Sequence, residues 1–338
     1  MNPFDEKIRI WISDSIDLSI NFEFEQFKVG RSNLTFKIYD KKNTYVLRRP
    51  PLGSKLESAH DMKREYRIIS NLYKCKYRVP KPYVLCDNRD ISSEDFYIME
   101  YIDGQTIATM EDAQSLSDEI KKTISEDYIV TICELHNIEV GSSGLESLGK
   151  HEDYIERQLS RWAKQWDKQK TREIPDLQNS TKLLLDSIPK QQRTSIVHGD
   201  YRLDNVKVGN SGNILAVLDW ELCTLGDPLA DLGTIIASWV SEEIDSPFIY
   251  SPNKAGGFAS RSHLLDIYSN QTGLDIGEIE FYTRFSYWKH ALIMEGVFFR
   301  YSSGAYGNVD KETIDLFGEN ALSMASYSNK ENLLEELL

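Results

Sequence analysis

The sequence predicts an α+β protein of two lobes, with strands in the first part of the chain and helices in the rest. Three observations support this fold class. The 338 residues are 41% hydrophobic and 27% charged, which is enough to bury a core in each of two lobes. Before Gly104, apolar and polar residues tend to alternate, as in strands; after it, apolar residues recur every three or four positions, as in helices. We therefore expect an N-terminal lobe over residues 1–103 and a C-terminal lobe over residues 104–338.

The N-terminal lobe is expected to form a five-stranded antiparallel sheet with one helix. The helix is predicted over Lys55–Lys74, because this stretch has no Gly or Pro and its apolar residues lie three or four apart. The strands are predicted from alternation and from flanking turn residues. They are Asn21–Lys28, Asn33–Tyr39, Thr44–Arg49, Tyr83–Cys86 and Asp95–Tyr101.

The C-terminal lobe is expected to be mostly helical, with a small group of strands in its middle. The predicted helices are Ser115–Asn137, His151–Thr171, Ile174–Ile188, Asp227–Ser241, Leu264–Thr272, Ile276–Phe299 and Asp310–Ser326. The predicted strands are Thr194–Val197, Val206–Val208 and Ile214–Leu218. The Gly-rich and Asn-rich turn Gly209–Asn213 joins the last two strands as a hairpin.

Composition excludes several classes of protein. The net charge of −14 argues against a nucleic-acid partner, because phosphate backbones attract basic surfaces. The four cysteines include no C-x-x-C pair, which argues against a disulfide framework and a structural zinc site. No apolar run approaches the roughly 18 residues of a membrane span, and the N-terminus lacks the pattern of a signal peptide. We expect a cytoplasmic protein with no membrane partner; its oligomeric state is not indicated.

Charge is distributed unevenly between the two lobes. Residues 1–103 carry 18 basic and 16 acidic side chains, whereas residues 104–338 carry 21 basic and 37 acidic side chains. This asymmetry fits two lobes with different ligands. A solvated acidic surface is the alternative explanation.

The most informative stretch is a polar loop followed by a strand that ends in an aspartate. His198, Asp200 and Asn205 have the spacing H-x-D-x-x-x-x-N, and Asp219 follows Asn205 by fourteen residues. Phosphoryl transfer needs one carboxylate that accepts a hydroxyl proton, together with an Asn and a second Asp that hold magnesium on the phosphates. The alternative is a loop whose polar residues only satisfy one another.

These motifs resemble a known family. The segments HGDYRLDN, VLDWE and GDPLADLG are similar to the loops of aminoglycoside phosphotransferases and choline kinases, small-molecule kinases that share the bilobal protein-kinase-like fold. Within that family the chain most resembles the kinase-like domains associated with acyl-CoA dehydrogenases. Four segments carry this second resemblance: YVLRRPP, REYRII, MEYIDG and YIERQLSRWAKQW.

The resemblance implies a role for each residue of the polar loop. It implies that Asp200 is the catalytic base, that His198 is the structural anchor of the catalytic loop, and that Asn205 and Asp219 are Mg²⁺ ligands. It also implies that ATP is the phosphoryl donor, with GTP as the alternative.

Two further segments are candidates for nucleotide binding. The turn that contains Gly30, Ser32 and Asn33 lies between two predicted strands, where free backbone N–H groups can cover phosphates; a plain hairpin turn is the alternative. The resemblance implies that the backbone from Glu100 to Ile102 joins the lobes and faces the adenine edge.

The third predicted strand ends in two arginines. Arg48 occupies the position where kinases place a lysine that contacts the α- and β-phosphates, and a guanidinium can also bind phosphates. Because adjacent strand residues point to opposite faces, Arg49 should face away from the cleft. Glu65, on the next helix, is expected to pair with Arg48. The alternatives are a surface arginine and a solvated carboxylate.

The sequence predicts an ATP-dependent and Mg²⁺-dependent phosphotransferase that acts on a hydroxyl group of a small molecule. A non-catalytic nucleotide-binding module of the same fold is the alternative from another class. The acidic C-terminal lobe favours a cationic acceptor such as an aminoglycoside or an amino alcohol. However, the resemblance implies that the segment His151–Arg172 contributes to the acceptor side, and this segment is aromatic and holds six basic against four acidic residues. We therefore favour a hydroxyacyl compound as acceptor.

Overall fold

The computed structural model describes residues 3–27, 33–51, 61–170, 172–240, 246–248, 251–304 and 310–338. It begins with helix α1 (Glu6–Ser15), which the sequence analysis missed. Asp5 starts this helix by accepting a hydrogen bond from the backbone N–H of Ile8 at 2.9 Å. Ile8 and Ile12, one turn apart, are buried against the sheet. The N-terminal lobe therefore holds two helices among its described residues, not one.

The predicted five-stranded antiparallel sheet is confirmed. Its strands are β1 (Glu23–Gln26), β2 (Leu34–Tyr39), β3 (Thr44–Arg49), β4 (Pro82–Cys86) and β5 (Phe96–Glu100). The order in the sheet is β1-β2-β3-β5-β4, and every neighbouring pair is antiparallel. Strand β3 is therefore the central strand, and its side chains point alternately to the two faces of the sheet.

The two faces of the sheet belong to different hydrophobic cores. Tyr45 and Leu47 of β3 pack with α1, whereas Val46 packs with helix α2 (Met62–Lys74) and with the C-terminal lobe. Asp61 caps α2 by accepting a hydrogen bond from the N–H of Arg64 at 2.9 Å. The predicted start of this helix, at Lys55, lies outside the described residues.

The C-terminal lobe is mostly helical, as predicted. Its helices are α3 (Met110–Gln114), α4 (Asp118–His136), α5 (Val140–Ser143), α6 (Tyr154–Gln169), α7 (Pro175–Asp186), α8 (Leu229–Ser238), α9 (Arg261–Thr272), α10 (Ile279–Ser302), α11 (Lys311–Ser328) and α12 (Leu333–Leu337). Its short strands are β6 (Ser195–Val197), β7 (Val206–Val208), β8 (Ile214–Val217) and β9 (Thr224–Gly226). The predicted hairpin is present as β7 and β8, while β6 pairs with β9.

Helix α10 is the central helix of the C-terminal lobe. Most of its side chains are buried, and it packs on α8 and α11. Gly233 allows α8 to approach closely, because a Cβ at that position would lie 2.4 Å from the carbonyl of Tyr282. Within the described residues, no helix combines the length and the apolar character needed to cross a membrane. The lobe boundary between residues 103 and 104 remains a prediction.

Candidate active site

The loop between β6 and β7 carries the H-x-D-x-x-x-x-N motif. His198 is fully buried and does not reach the cleft. Its Nε2 donates to the carbonyl of Leu218 at 2.9 Å, and its Nδ1 accepts the backbone N–H of Asp200 at 3.2 Å. A single neutral tautomer satisfies both bonds, because a carbonyl oxygen only accepts. The structure thus places His198 where it supports the backbone before Asp200.

A buried carboxylate lies beneath this loop. Asp231 of α8 accepts the N–H groups of His198 and Gly199 at 2.7 and 2.9 Å, and its Oδ2 lies 3.2 Å from Nε2 of His136. Burial alone would raise the pKa of Asp231, but the bond to His136 and the backbone donor outweigh it and lower the pKa. Gly199 has a φ of +85°, and a Cβ there would lie 2.9 Å from the carbonyl of Leu222. Asp231 and Gly199 together fix the turn that precedes Asp200.

Asp200 itself is held by two side chains. Its Oδ2 accepts from Nδ2 of Asn205 at 3.1 Å, and its Oδ1 pairs with Nε of Arg202 at 3.1 Å. Burial would raise the pKa of Asp200, but the positive charge of Arg202 leads the groups that lower it. The carboxylate is therefore ionised at neutral pH and can accept a proton or a hydrogen bond from a hydroxyl group.

The predicted metal ligands are brought together by the β7–β8 hairpin. The N–H of Leu218 donates to the carbonyl of Asn205 at 2.8 Å. This bond holds the backbone just before Asp219 against Asn205. Asp219 has a φ of 63°, and about a third of its side chain is exposed. Both side chains offer oxygen atoms, the ligands that Mg²⁺ prefers.

This pair of oxygen ligands fits a metal that is bound together with a nucleotide. Among the residues the structure describes, no group of three or more His, Cys, Asp and Glu side chains is placed to hold a metal ion. Mg²⁺ is usually bound by one or two protein side chains, with phosphates and waters completing its shell. Asn205 and Asp219 match that requirement.

Arg48 of β3 connects the two lobes. Its Nε pairs with Glu65 of α2 at 3.1 Å, and its Nη2 lies 2.5 Å from Oδ1 of Asp219. Burial would lower the pKa of Arg48, but these carboxylates outweigh it and raise the pKa. Burial raises the pKa of Glu65, and the charge of Arg48 opposes that rise. Arg49 faces the other way and donates to the carbonyl of Pro3 at 3.0 Å, as the alternation of strand residues predicts.

Of the other residues predicted to bind the nucleotide, the structure describes Asn33, Glu100 and Ile102. Asn33 is buried and its Nδ2 donates to Oε2 of Glu221 at 3.3 Å. Gly30 and Ser32 lie outside the described residues. At the end of β5, the N–H of Glu100 already donates to the carbonyl of Lys81 at 2.9 Å.

Ile102 lies two residues beyond the end of β5. Its carbonyl accepts the N–H of Gly104 at 3.0 Å. The role of this segment in nucleotide binding stays a prediction.

Some residues of the site were missed by the sequence analysis. Arg202 lies inside the HGDYRLDN motif, so its position beside Asp200 had a signal in the sequence. Tyr201 lies in the same motif, but its pairing with Tyr128 of α4 had no signal: each hydroxyl donates to the other's backbone carbonyl at 2.9 Å, and the ring centroids lie 4.5 Å apart. Lys289 of α10 donates from Nζ to the carbonyl of Gly199 at 2.9 Å, a contact across 90 residues of chain.

Comparison with known proteins supports the resemblance. The human acyl-CoA dehydrogenase family member 11 (Homo sapiens) is 32% identical over 292 residues, which cover 84% of this chain and 37% of the relative. The chain thus spans well under half of that relative's length. A crystal structure from Ralstonia eutropha JMP134, described as a candidate aminoglycoside phosphotransferase, is 32% identical with a TM-score of 0.80. That alignment covers 96% of this chain and 97% of the solved one.

More distant structures share the fold. The ternary complex of the aminoglycoside phosphotransferase APH(2")-IIa with streptomycin and ATP has a TM-score of 0.60 at 19% identity, over 87% of this chain and 91% of that one. At that identity the likeness supports the fold alone. The model of the Phosphotransferase enzyme family matches residues 23–259, more than half of the chain. This match contains the loop around Asp200 and the strand that leads to Asp219. The chain therefore belongs to the Phosphotransferase enzyme family.

Proposed function

We propose that the protein transfers the γ-phosphoryl group of ATP to a hydroxyl group of a small molecule, in a Mg²⁺-dependent reaction. One observation carries this proposal: Arg48 contacts both the buried Glu65 and Asp219, while Leu218, the residue before Asp219, donates its N–H to the carbonyl of Asn205. Asn205 in turn contacts Asp200. The proposed phosphate-binding cation, metal ligands and base are thus linked by an ion pair and hydrogen bonds, with the backbone of Leu218 joining Asp219 to Asn205.

In the proposed reaction, the acceptor hydroxyl oxygen forms a bond to the γ-phosphorus. The bond from the γ-phosphorus to the oxygen bridging the β- and γ-phosphorus atoms breaks, and ADP leaves with that electron pair. Asp200 accepts the hydroxyl proton. Asn205 and Asp219 would hold Mg²⁺, which when bound neutralises phosphate charge. Arg48 binds the phosphates and Asn205 orients the carboxylate of Asp200, so most of the rate enhancement comes from positioning and charge.

For the acceptor, we propose a hydroxyacyl compound. Helix α6 presents Trp162 and Arg161 toward a cavity that Gly199 also lines, so aromatic and basic side chains lie beside the catalytic loop. An apolar or anionic acceptor fits these side chains better than a polycation, because screening limits the reach of a charge to roughly 8 Å at physiological ionic strength, so nearby charges matter most. Aminoglycosides and amino alcohols are the second candidates, supported by the acidic C-terminal lobe.

A transfer assay tests the proposed function. The purified chain is incubated with γ-labelled ATP or GTP, with and without Mg²⁺, and with hydroxyacyl-CoAs, free hydroxy acids, aminoglycosides and amino alcohols. We expect labelled product only with Mg²⁺, and with hydroxyacyl compounds in preference to aminoglycosides. Asp315→Asn, an exposed change in α11, is the matched control for Asp200→Asn. Nucleotide binding without transfer to any acceptor or to water would favour the non-catalytic module.

A further inference from the structure

A cavity of about 440 Å³ opens between α2, α6, the catalytic loop and the segment after Asp219. Its lining includes three carboxylates, two of which lie within ion-pair distance of Arg48, and three cations. Of the cations, Arg64 donates to the backbone carbonyls of Glu221 and Cys223, so Arg161 and Lys289 remain for a ligand. The lining residues used below are Asp61, Glu65, Glu221, Arg161, Trp162 and Lys289.

The carboxylates of this cavity already have partners. Glu65 pairs with Arg48 at 3.1 Å, and Glu221 accepts from Asn33 at 3.3 Å. Asp61 accepts the backbone N–H that starts α2. Glu65 and Glu221 both lie within ion-pair distance of Arg48, the predicted phosphate-binding residue. These two carboxylates are therefore committed to the nucleotide side of the cleft.

Arg161 is presented to the cavity by the periodicity of α6. Four residues of this helix line the cavity, at positions 154, 158, 161 and 162, which fall on one face of a helix. The Arg161 guanidinium lies over the ring of Trp162 at 5.6 Å. Within the part of the chain that the structure describes, Arg161 forms no ion pair with a carboxylate. It is an exposed cation at the rim of the cavity.

Lys289 is the second cation, and it comes from α10. Its side chain is more than nine-tenths buried, and Nζ donates to the carbonyl of Gly199, the residue before the predicted base. Among the described residues it too lacks an ion pair. Burial lowers the pKa of Lys289 and the like charge of Arg161 adds to this, whereas Asp200 and Asp231 oppose it. An ammonium has three donors, and an anion in the cavity can accept a hydrogen bond from Nζ in addition to the one that the carbonyl of Gly199 accepts.

We propose that Lys289 and Arg161 form an anion subsite that binds a carboxylate or phosphate group of the hydroxylated acceptor. This inference rests on the proposed function, because it assigns the acceptor's charged group to that same cleft. The subsite lies beside Gly199, so an anion held there brings the rest of the acceptor to the catalytic loop. It requires an acceptor with both a hydroxyl and an anionic group, and it disfavours polycationic acceptors, which Lys289 and Arg161 would repel.

Anion titration tests the subsite without requiring turnover. The full chain is titrated calorimetrically with sodium phosphate and, separately, with sodium acetate, both alone and with Mg·AMP-PNP present to fill the nucleotide site. We expect Arg161→Met and Lys289→Met each to weaken anion binding about tenfold or more, the usual loss for a charge-assisted hydrogen bond. Arg157→Met is the matched control: it lies on α6 one turn earlier and donates to the carbonyl of Lys150, outside this cavity.

The outcomes separate the subsite from the proposed function. Binding of phosphate alone, acetate alone or both supports the subsite and indicates which anionic group the acceptor carries. No anion binding, or equal losses in Arg161→Met and Arg157→Met, overturns it. Because Lys289→Met also removes a bond to the catalytic loop, the exposed Arg161→Met is the deciding variant. Absence of Mg·AMP-PNP binding in the same experiment would count against the proposed function, while anion binding without nucleotide would still support the subsite.

Discussion

Nη2 of Arg48 lies 2.5 Å from Oδ1 of Asp219, so a side chain of the N-terminal sheet directly contacts the residue that ends the β8 segment. The same guanidinium pairs through Nε with Glu65 at 3.1 Å. A planar guanidinium presents donors in two directions at once, whereas the ammonium of a lysine is a single compact charge. This geometry gives a physical reason for an arginine where the resemblance leads one to expect a lysine.

Removal of Arg48 should therefore impair catalysis more than removal of its neighbour. We expect Arg48→Ala to lower kcat/KM for ATP by about 10- to 100-fold, because charge-assisted bonds are lost. Arg49→Ala is the matched control, since Arg49 faces Pro3 on the other side of the sheet. Steady-state kinetics with varied ATP checks both variants. Equal losses would contradict the assignment of Arg48 to the phosphates.

Asp200→Asn should abolish transfer but leave nucleotide binding intact. The amide is the same size as the carboxylate but cannot take the hydroxyl proton, and loss of a general base typically costs about 10²- to 10⁴-fold. Calorimetry with Mg·ATP should give an unchanged affinity. A variant that keeps a substantial fraction of the wild-type turnover would remove Asp200 from the role of base.

Asp219→Ala, in contrast to Asp200→Asn, should weaken nucleotide binding. Because Asp219 is proposed to hold the metal on the phosphates, its loss should weaken Mg·ATP binding by roughly tenfold or more. The affinity is measured by titration at several Mg²⁺ concentrations, with Asp200→Asn as the control that retains binding. An unchanged Mg·ATP affinity would exclude Asp219 as a ligand.

Asp231→Asn should destabilise the protein and change its response to acid. Asp231 accepts two backbone N–H groups, and an amide can accept with only one of its two ends, so a buried donor is left unpaired at a cost of about 1–3 kcal/mol. The folded-state pKa of Asp231 is lowered, so its contribution is complete above the unfolded-state pKa of about 3.9 and is lost as pH falls below it.

Urea unfolding of wild type and Asp231→Asn between pH 7 and pH 3 measures both effects. The difference in unfolding free energy should be largest near pH 7 and should shrink as the pH falls below about 4. Asp275→Asn, on an exposed turn, is the control and should match the wild type at every pH. A difference that stays constant with pH would mean that Asp231 does not titrate differently in the folded state.

The sequence was sufficient for those elements whose signals are local. Alternation predicted the strands of the N-terminal sheet, and the turn Gly209–Asn213 predicted the β7–β8 hairpin. Helix α1 was missed although Asp5 and the spacing of Ile8 and Ile12 were a local signal. Strand β9 is only three residues long and is a strand because it pairs with β6, so tertiary structure decides it.

The residues of the candidate site also divide into those with a signal in the sequence and those placed only by tertiary structure. Asp200, Asn205 and Asp219 lie in motifs whose spacing is visible in the chain. In contrast, Lys289 is one basic residue in a largely buried helix, and only the packing of α10 beneath the loop gives it a partner at Gly199. Asp231 accepts the N–H groups of His198 and Gly199, more than 30 residues earlier in the chain, and only the packing of α8 beneath the loop brings it there.

The reciprocal bonds between Tyr128 and Tyr201 have a consequence for the energetics of the reaction. Each tyrosine hydroxyl donates to the backbone carbonyl of the other tyrosine, so both hydroxyl groups are hydrogen-bonded without any ligand. The residue next to Asp200 is thus immobilised as the chain folds. The conformational entropy of this loop is therefore lost during folding and not when a substrate binds. A preorganised site of this kind avoids that entropy cost in both binding and catalysis.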